Sequence, residues 1–163
     1  MPASADNFPD VSRATASPFV AASGFIVDDV TTTSVRGHVD LDASHHTPWG
    51  VVHGGVYTTI VESAGSIGAS KAVAESGQFA VGVHNATDFL RPATAARATV
   101  TAQALYQGRT QQLWDVVIAN DATAKVLARG QLRLQNVPLR QAASDGGPGP
   151  ASDDAGSSDR SNA

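Results

Sequence analysis

The sequence predicts an α+β domain in which an antiparallel sheet wraps around one long central helix. Three observations carry that expectation. Only one stretch, Gly55 to about Glu75, reads as a long helix, and it has no broad charged face, so it is expected to be covered on most sides. Two β segments precede it and four follow it, joined by short turns, which favours antiparallel neighbours. The 163 residues are 42% hydrophobic and 16% charged, which suits one core and one domain.

Residues 1–17 are rich in Ala, Ser, Asp and Pro and are expected to form a flexible lead-in to a domain spanning 18–138. Gly24 to Val30 and Ser34 to Leu41 read as the first strands, joined through Thr31-Thr32-Thr33. His46 to Val52 is a loop carrying Pro48 and Gly50. The helix follows, and Gly77 is expected to stop it, as a glycine just past a helix end does. Gln78 to Arg91 is a long strand ended by Pro92, which cannot donate to a ladder. Arg97 to Tyr106 alternates, with Ala98, Val100, Ala102, Ala104 and Tyr106 on one face. Gln111 to Ala119 puts Trp114, Val116 and Ile118 on one face, and Asn120-Asp121 marks a hairpin. Lys125 to Val137 puts Val126, Ala128, Gly130, Leu132 and Leu134 on one face and Arg129, Gln131, Arg133 and Gln135 on the other. From residue 141 on there is no aromatic and no aliphatic residue larger than Ala, so residues 139–163 are expected to be a disordered acidic tail.

Composition narrows the function. With no cysteine there is no disulfide, no thiolate metal site and no Cys nucleophile, which fits a reducing, cytoplasmic setting. The N-terminus lacks the apolar core of a secretory signal, and no apolar run approaches the roughly 20 residues of a membrane span. The formal net charge is −4, of which the four Asp and one Arg beyond residue 140 carry −3. The rest is near neutral, so bulk attraction to nucleic acid is not expected.

The chemistry concentrates in His46 to Ser70. The helix there carries Val56, Tyr57, Ile60, Val61, Ala64, Ile67 and the small residues Gly65, Gly68 and Ala69. The small residues predict close helix-to-helix contact across a dimer. Glu62 is the one carboxylate in this covered stretch, and a covered carboxylate needs a partner, a raised pKa or a task. Gly54-Gly55 opens the helix, where free N–H groups and the positive dipole end suit a developing oxyanion. Gly54 and Glu62 are eight residues apart, roughly 12 Å along a helix axis. If both act on one small carbonyl group, they come from two subunits. Ser66 lies one turn beyond Glu62 on the same face, within reach of the carboxylate or a leaving thiolate.

These residues also resemble a known family. Trp49-Gly-Val-Val-His-Gly-Gly55 followed by Val61-Glu-Ser-Ala-Gly-Ser66 is similar to the hot-dog-fold acyl-CoA thioesterases. So are V-G-V-x-N-x-T-x-F-x-R-P at 81–92 and G-R-x-Q-Q-x-W at 108–114, and the likeness covers roughly residues 20–136. The branch it resembles has a catalytic Glu on the central helix and includes 4-hydroxybenzoyl-CoA and 1,4-dihydroxy-2-naphthoyl-CoA thioesterases. Phenylacetate-pathway-type relatives carry Asp at the place of Glu62.

The resemblance implies a hot-dog fold, an acyl-CoA substrate with an aromatic or medium acyl group, and a dimer or tetramer with shared sites. It implies no metal and no cofactor beyond the CoA of the substrate. By the same resemblance, the Gly54 N–H is the oxyanion donor, His53 orients the thioester and Glu62 is nucleophile or general base. Ser66 assists it, Gly55, Gly82, Phe89, Leu90 and Arg91 line the acyl and pantetheine path, and Gly108, Arg109, Thr110 and Gln111 hold the CoA end. Two positions depart from the pattern. Thr47 stands where family members often have Gln or Asn, and Phe89 stands where the naphthoyl-CoA enzymes have His. Two other functions remain open on this scaffold: a non-hydrolytic acyl-CoA binding protein, and a hydratase or dehydratase, against which the intact HGG-to-Glu spacing argues.

Overall fold

Residues 8–12 and 14–139 are described by the structure, a computed structural model. The first seven residues of the expected lead-in, and all of the expected tail except Leu139, lie outside the described residues.

A five-residue helix α1 (Pro18–Ala22), not anticipated from the sequence, opens the domain. Its signal is the Ser17-Pro18 pair: the Ser17 hydroxyl accepts from the Val20 N–H, and proline takes the first helical position, where its missing N–H costs nothing. Strands β1 (Ile26–Val30) and β2 (Ser34–Leu41) follow, with Thr31 Oγ1 accepting from the N–H groups of Thr33 and Ser34 to close their turn. The long helix α2 (Gly54–Val73) ends in a 3-10 turn, Ala74–Ser76, and Gly77 takes the left-handed conformation that stops it, φ 67°. Strands β3 (Gln78–Phe89), β4 (Ala96–Gln107), β5 (Gln111–Asn120) and β6 (Val126–Pro138) complete the chain. Asn120 closes the β5–β6 turn as expected, its side-chain oxygen accepting from the N–H groups of Ala122 and Thr123.

The six strands form one sheet in the order β1-β2-β4-β5-β6-β3, every neighbouring pair antiparallel. The helix packs against all six strands, which is the hot-dog arrangement the sequence predicts. Its faces are apolar on most sides, so burial needs a sheet that curls around it. Tyr57, Ile60, Val61 and Ala64 of α2 share the core with Val35, Val39, Val100, Trp114, Val116 and Leu132.

Two expectations need correction. Gly65, Gly68 and Ala69 do not form a bare stripe for a second helix; all three are buried under the chain's own sheet. A methyl group on Gly65 would sit 2.6 Å from Leu132 Cδ2, and one on Gly68 would overlap the far edge of the Trp114 indole. These small residues therefore admit large sheet side chains. Tyr106 leaves the buried face, because β4 shifts register against β5 between Ala104 and Tyr106.

Gly68 gives a stability prediction. The Trp114 ring is fully buried and its Nε1 donates to Gln112 Oε1 at 3.0 Å, so it cannot swing aside. Gly68→Ala gains roughly 1 kcal/mol of helix propensity but overpacks a closed site at a cost of about 1–3 kcal/mol. Urea unfolding is expected to show a net loss.

One irregularity interrupts the sheet edge beside the helix. Strand β3 slips by one residue against β6 between Gly82 and His84, leaving Val83 as a bulge. Before the bulge Ala80 and Gly82 turn toward the helix; after it Asn85 and Thr87 do, while Val81, Val83, His84 and Ala86 are exposed. Strand β3 is also an edge of the sheet.

Candidate active site

The loop before α2 is built to deliver the helix entry. Thr47 accepts the Gly50 N–H at its carbonyl, 3.0 Å, and donates its own N–H to Val51 O, 2.7 Å. Gly50 has φ 77°, a left-handed conformation that glycine adopts without strain. The Thr47 hydroxyl accepts from the Trp49 N–H at 3.3 Å, inside the turn. His46, its neighbour, bonds the Thr94 carbonyl through Nε2. His45, which the sequence does not single out, is buried: its Nδ1 accepts from the Asp42 N–H at 3.1 Å and its carbonyl accepts from the His53 N–H at 2.8 Å. Only the capping pattern Asp42-x-x-His45 signals it.

At the helix entry the donors are distinguishable. His53 is the N-cap; its Nδ1 accepts from the Gly55 N–H at 2.8 Å, which puts the ring proton of neutral His53 on Nε2. The Val56 N–H bonds the His53 carbonyl at 3.0 Å. The Gly54 N–H has no acceptor among the described residues, so it is the open donor of the turn, whereas Gly55 is already engaged. Phe89 lies directly over Gly54: a methyl group on Gly54 would come within 2.8 Å of the Phe89 ring. That ring is 57% exposed and packs at 6.3 Å, tilted by 34°, on Tyr57. The Tyr57 hydroxyl is buried with no partner among the described residues, and burial pushes its pKa up, so the phenol stays protonated.

Two turns along α2 sits Glu62, half-buried. Its Oε2 accepts from Asn85 Nδ2 at 3.0 Å. Its Oε1 lies over Gly82, where any Cβ would overlap it, so glycine at 82 makes room for the carboxylate. Ser66 is half-buried one turn on, and no hydrogen bond joins it to Glu62 among the described residues.

The remaining predicted positions fall elsewhere. Leu90 is exposed beyond the end of β3, and Arg91 turns back to donate from Nη1 to Val126 O at 2.6 Å. Gly108, Arg109, Thr110 and Gln111 form the β4–β5 turn, with the Gly108 N–H donating to Gln111 O at 2.8 Å. That turn is held from below by two buried amides the sequence reading missed. Asn136 Nδ2 donates to Gly108 O and Arg109 O at 3.0 and 3.2 Å, and the Asn136 N–H donates to Thr110 O at 2.8 Å. Gln112 Nε2 in turn donates to Asn136 Oδ1 at 2.8 Å and to Ala69 O of α2 at 2.9 Å. Strand parity puts both residues on the core face, and their polar side chains in that position are the signal.

An open backbone donor at a helix start and a lone carboxylate against glycine sit on the one long helix of a hot-dog sheet. Comparison with known proteins gives the class. The thioesterase superfamily pattern matches residues 50–127. An esterase by name from Mycobacterium tuberculosis is 39% identical over 125 residues, 76% of this chain and 89% of that protein. The solved structure of that protein superposes with a TM-score of 0.72 at 40% identity, covering 76% of this chain and 99% of its own. The crystal structure of S. sahachiroi AziG superposes with a TM-score of 0.71 at 35% identity over 76% of this chain and 98% of AziG. A 1,4-dihydroxy-2-naphthoyl-CoA hydrolase from Listeria monocytogenes is 37% identical over 82 residues, 50% of this chain and 65% of that protein. The chain belongs to the thioesterase superfamily and is a thioester hydrolase.

Proposed function

We propose that this chain hydrolyses acyl-CoA thioesters at sites shared between two copies. The Gly54 N–H of one copy polarises the thioester carbonyl, and Glu62 of the other supplies the carboxylate. One observation carries the reading: the open N–H and the anchored carboxylate lie on a single continuous helix, roughly 12 Å apart along its axis. A single thioester carbonyl does not span that distance. The exposed β3 edge supports pairing of two copies, since Val81 and Val83 stand there 42% and 52% exposed. A dimer is the minimum, and a tetramer is the reading by family resemblance.

In the reaction, water adds to the carbonyl carbon as its proton passes to Glu62, the oxygen gains negative charge at Gly54, and the C–S bond then breaks. The CoA sulfur leaves with the bonding pair and takes up the proton. In the alternative path Glu62 attacks first and water cleaves the resulting anhydride. His53 and Ser66 act as orienting groups beside the carbonyl and the leaving sulfur. The Gly108–Gln111 turn of the Glu62 copy takes the CoA end, with exposed Arg109 matched to phosphate. The Phe89 ring beside Gly54 favours an aromatic or medium apolar acyl group, and the cytoplasm is the compartment that fits.

A thiol-release assay with benzoyl-CoA and hexanoyl-CoA tests this. Free CoA above the uncatalysed rate is expected from at least one. Thr47 keeps a second reading in view, because it brings a hydroxyl and has no amide to offer the substrate. Tight binding of either ester in calorimetry without thiol release would favour a non-hydrolytic acyl-CoA binding protein.

A further inference from the structure

The Val83 bulge has a consequence for Glu62. In regular alternation Gly82 and Asn85, three residues apart, would face opposite sides of β3. The extra residue turns both toward the helix, and both then meet the same carboxylate. Asn85 Nδ2 donates to Glu62 Oε2 at 3.0 Å and to the Thr58 carbonyl at 3.3 Å. Both of those groups are acceptors only, so the amide end facing them is the NH2 end. Its other end, Oδ1, receives the Thr87 hydroxyl at 2.7 Å, which completes the lock on the amide orientation.

We propose that Asn85, held by Thr87, is the positioning residue of Glu62, and that it leaves Oε1, the oxygen over Gly82, as the one that reacts. This rests on the shared-site hydrolysis proposed above. The two N–H groups of one rigid amide go to Oε2 and to Thr58 O, so the carboxylate has one anchored oxygen and one, Oε1, with no hydrogen bond among the described residues. A carboxylate on three rotatable bonds would otherwise sample several rotamers, and misplacement by about 1 Å costs on the order of 10²-fold in rate. No other ionisable side chain of the surrounding strands competes for it. His84 and Asp88 of β3 and Arg129 and Arg133 of β6 are exposed on the outer face, and Tyr57, on α2 itself, packs against Phe89.

The test is steady-state thiol release by the full-length protein, on whichever of benzoyl-CoA and hexanoyl-CoA the wild type turns over. Asn85→Ala is expected to lower kcat by roughly 10–100-fold with KM within about twofold of wild type. Thr87→Val, which keeps volume and removes the lock, is expected to lower kcat by a smaller factor in the same pattern. Asn85→Asp, which is isosteric, places a second carboxylate against Glu62, and the acid limb of its kcat–pH profile is expected to move to higher pH by about one unit or more. Arg36→Ala, exposed on β2 at the other side of the sheet, is the control with unchanged kcat. A merely structural Asn85 would lower thermal stability in the alanine variant with kcat at the wild-type value, and that result overturns the proposal. So does an acid limb left in place in Asn85→Asp, which would mean that the group titrating in kcat is not the carboxylate beside residue 85. If Glu62→Gln itself retains full turnover, the hydrolytic reading fails first, and the two failures are distinguishable.

Discussion

Glu62→Gln is expected to lower kcat by about 10²–10⁴-fold, the range a positioned base or nucleophile supplies. The substitution is nearly isosteric. The Asn85 amide still finds an acceptor in the glutamine carbonyl, so the helix-to-β3 contact at 3.0 Å survives and Gly82 still clears the side chain. What is lost is the negative charge of the carboxylate. KM for the acyl-CoA is therefore expected to stay within a few-fold of wild type, and calorimetric binding of the ester is expected to persist. A loss confined to KM would mean that Glu62 binds substrate and does no chemistry.

Gly54→Pro is expected to have the next largest effect, about 10²–10³-fold in kcat, the usual cost of one oxyanion donor. Proline removes the N–H and nothing else in the backbone ladder, because this position lies in the first turn, where no intrahelical acceptor exists. His53 already has φ −68° and ψ 134°, the extended conformation that a residue before proline prefers. A Cβ at this position meets the Phe89 ring, which is 57% exposed. Circular dichroism is expected to show an unchanged fold, so the loss reads as loss of the donor.

The helix and all six strands were legible as separate segments, because turn residues bound each of them. Trp114, Val116 and Ile118 of β5 and Leu132 and Leu134 of β6 sit where alternation places them. The site was legible only in part. Gly54 and Glu62 stand out by residue type, since a glycine opening a helix and a lone carboxylate in a covered one are both unusual. Asn85 does not, because its role depends on a bulge at Val83 that no propensity marks; without the slip, parity assigns it to the outer face. The same limit explains Tyr106, displaced from the buried face by a slip in β4. Gly65 and Gly68 misled in a different way. Small residues record that something comes close, and here the close partners are Leu132 and Trp114 rather than a second helix. Gln112 and Asn136 were hidden because polar side chains on a core face read as interruptions until their partners are seen.

The central claim is that each site draws Gly54 from one copy and Glu62 from another, and complementation tests it most directly. Chains carrying Glu62→Gln and chains carrying Gly54→Pro are expected to be nearly inactive alone. Co-expressed with different tags and purified as the mixed dimer, they rebuild one site from the intact Gly54 of the first and the intact Glu62 of the second. Thiol release is then expected to recover to about half the wild-type turnover per dimer, as two-fold symmetry requires. Activity that stays at the level of the two single variants would contradict the shared site.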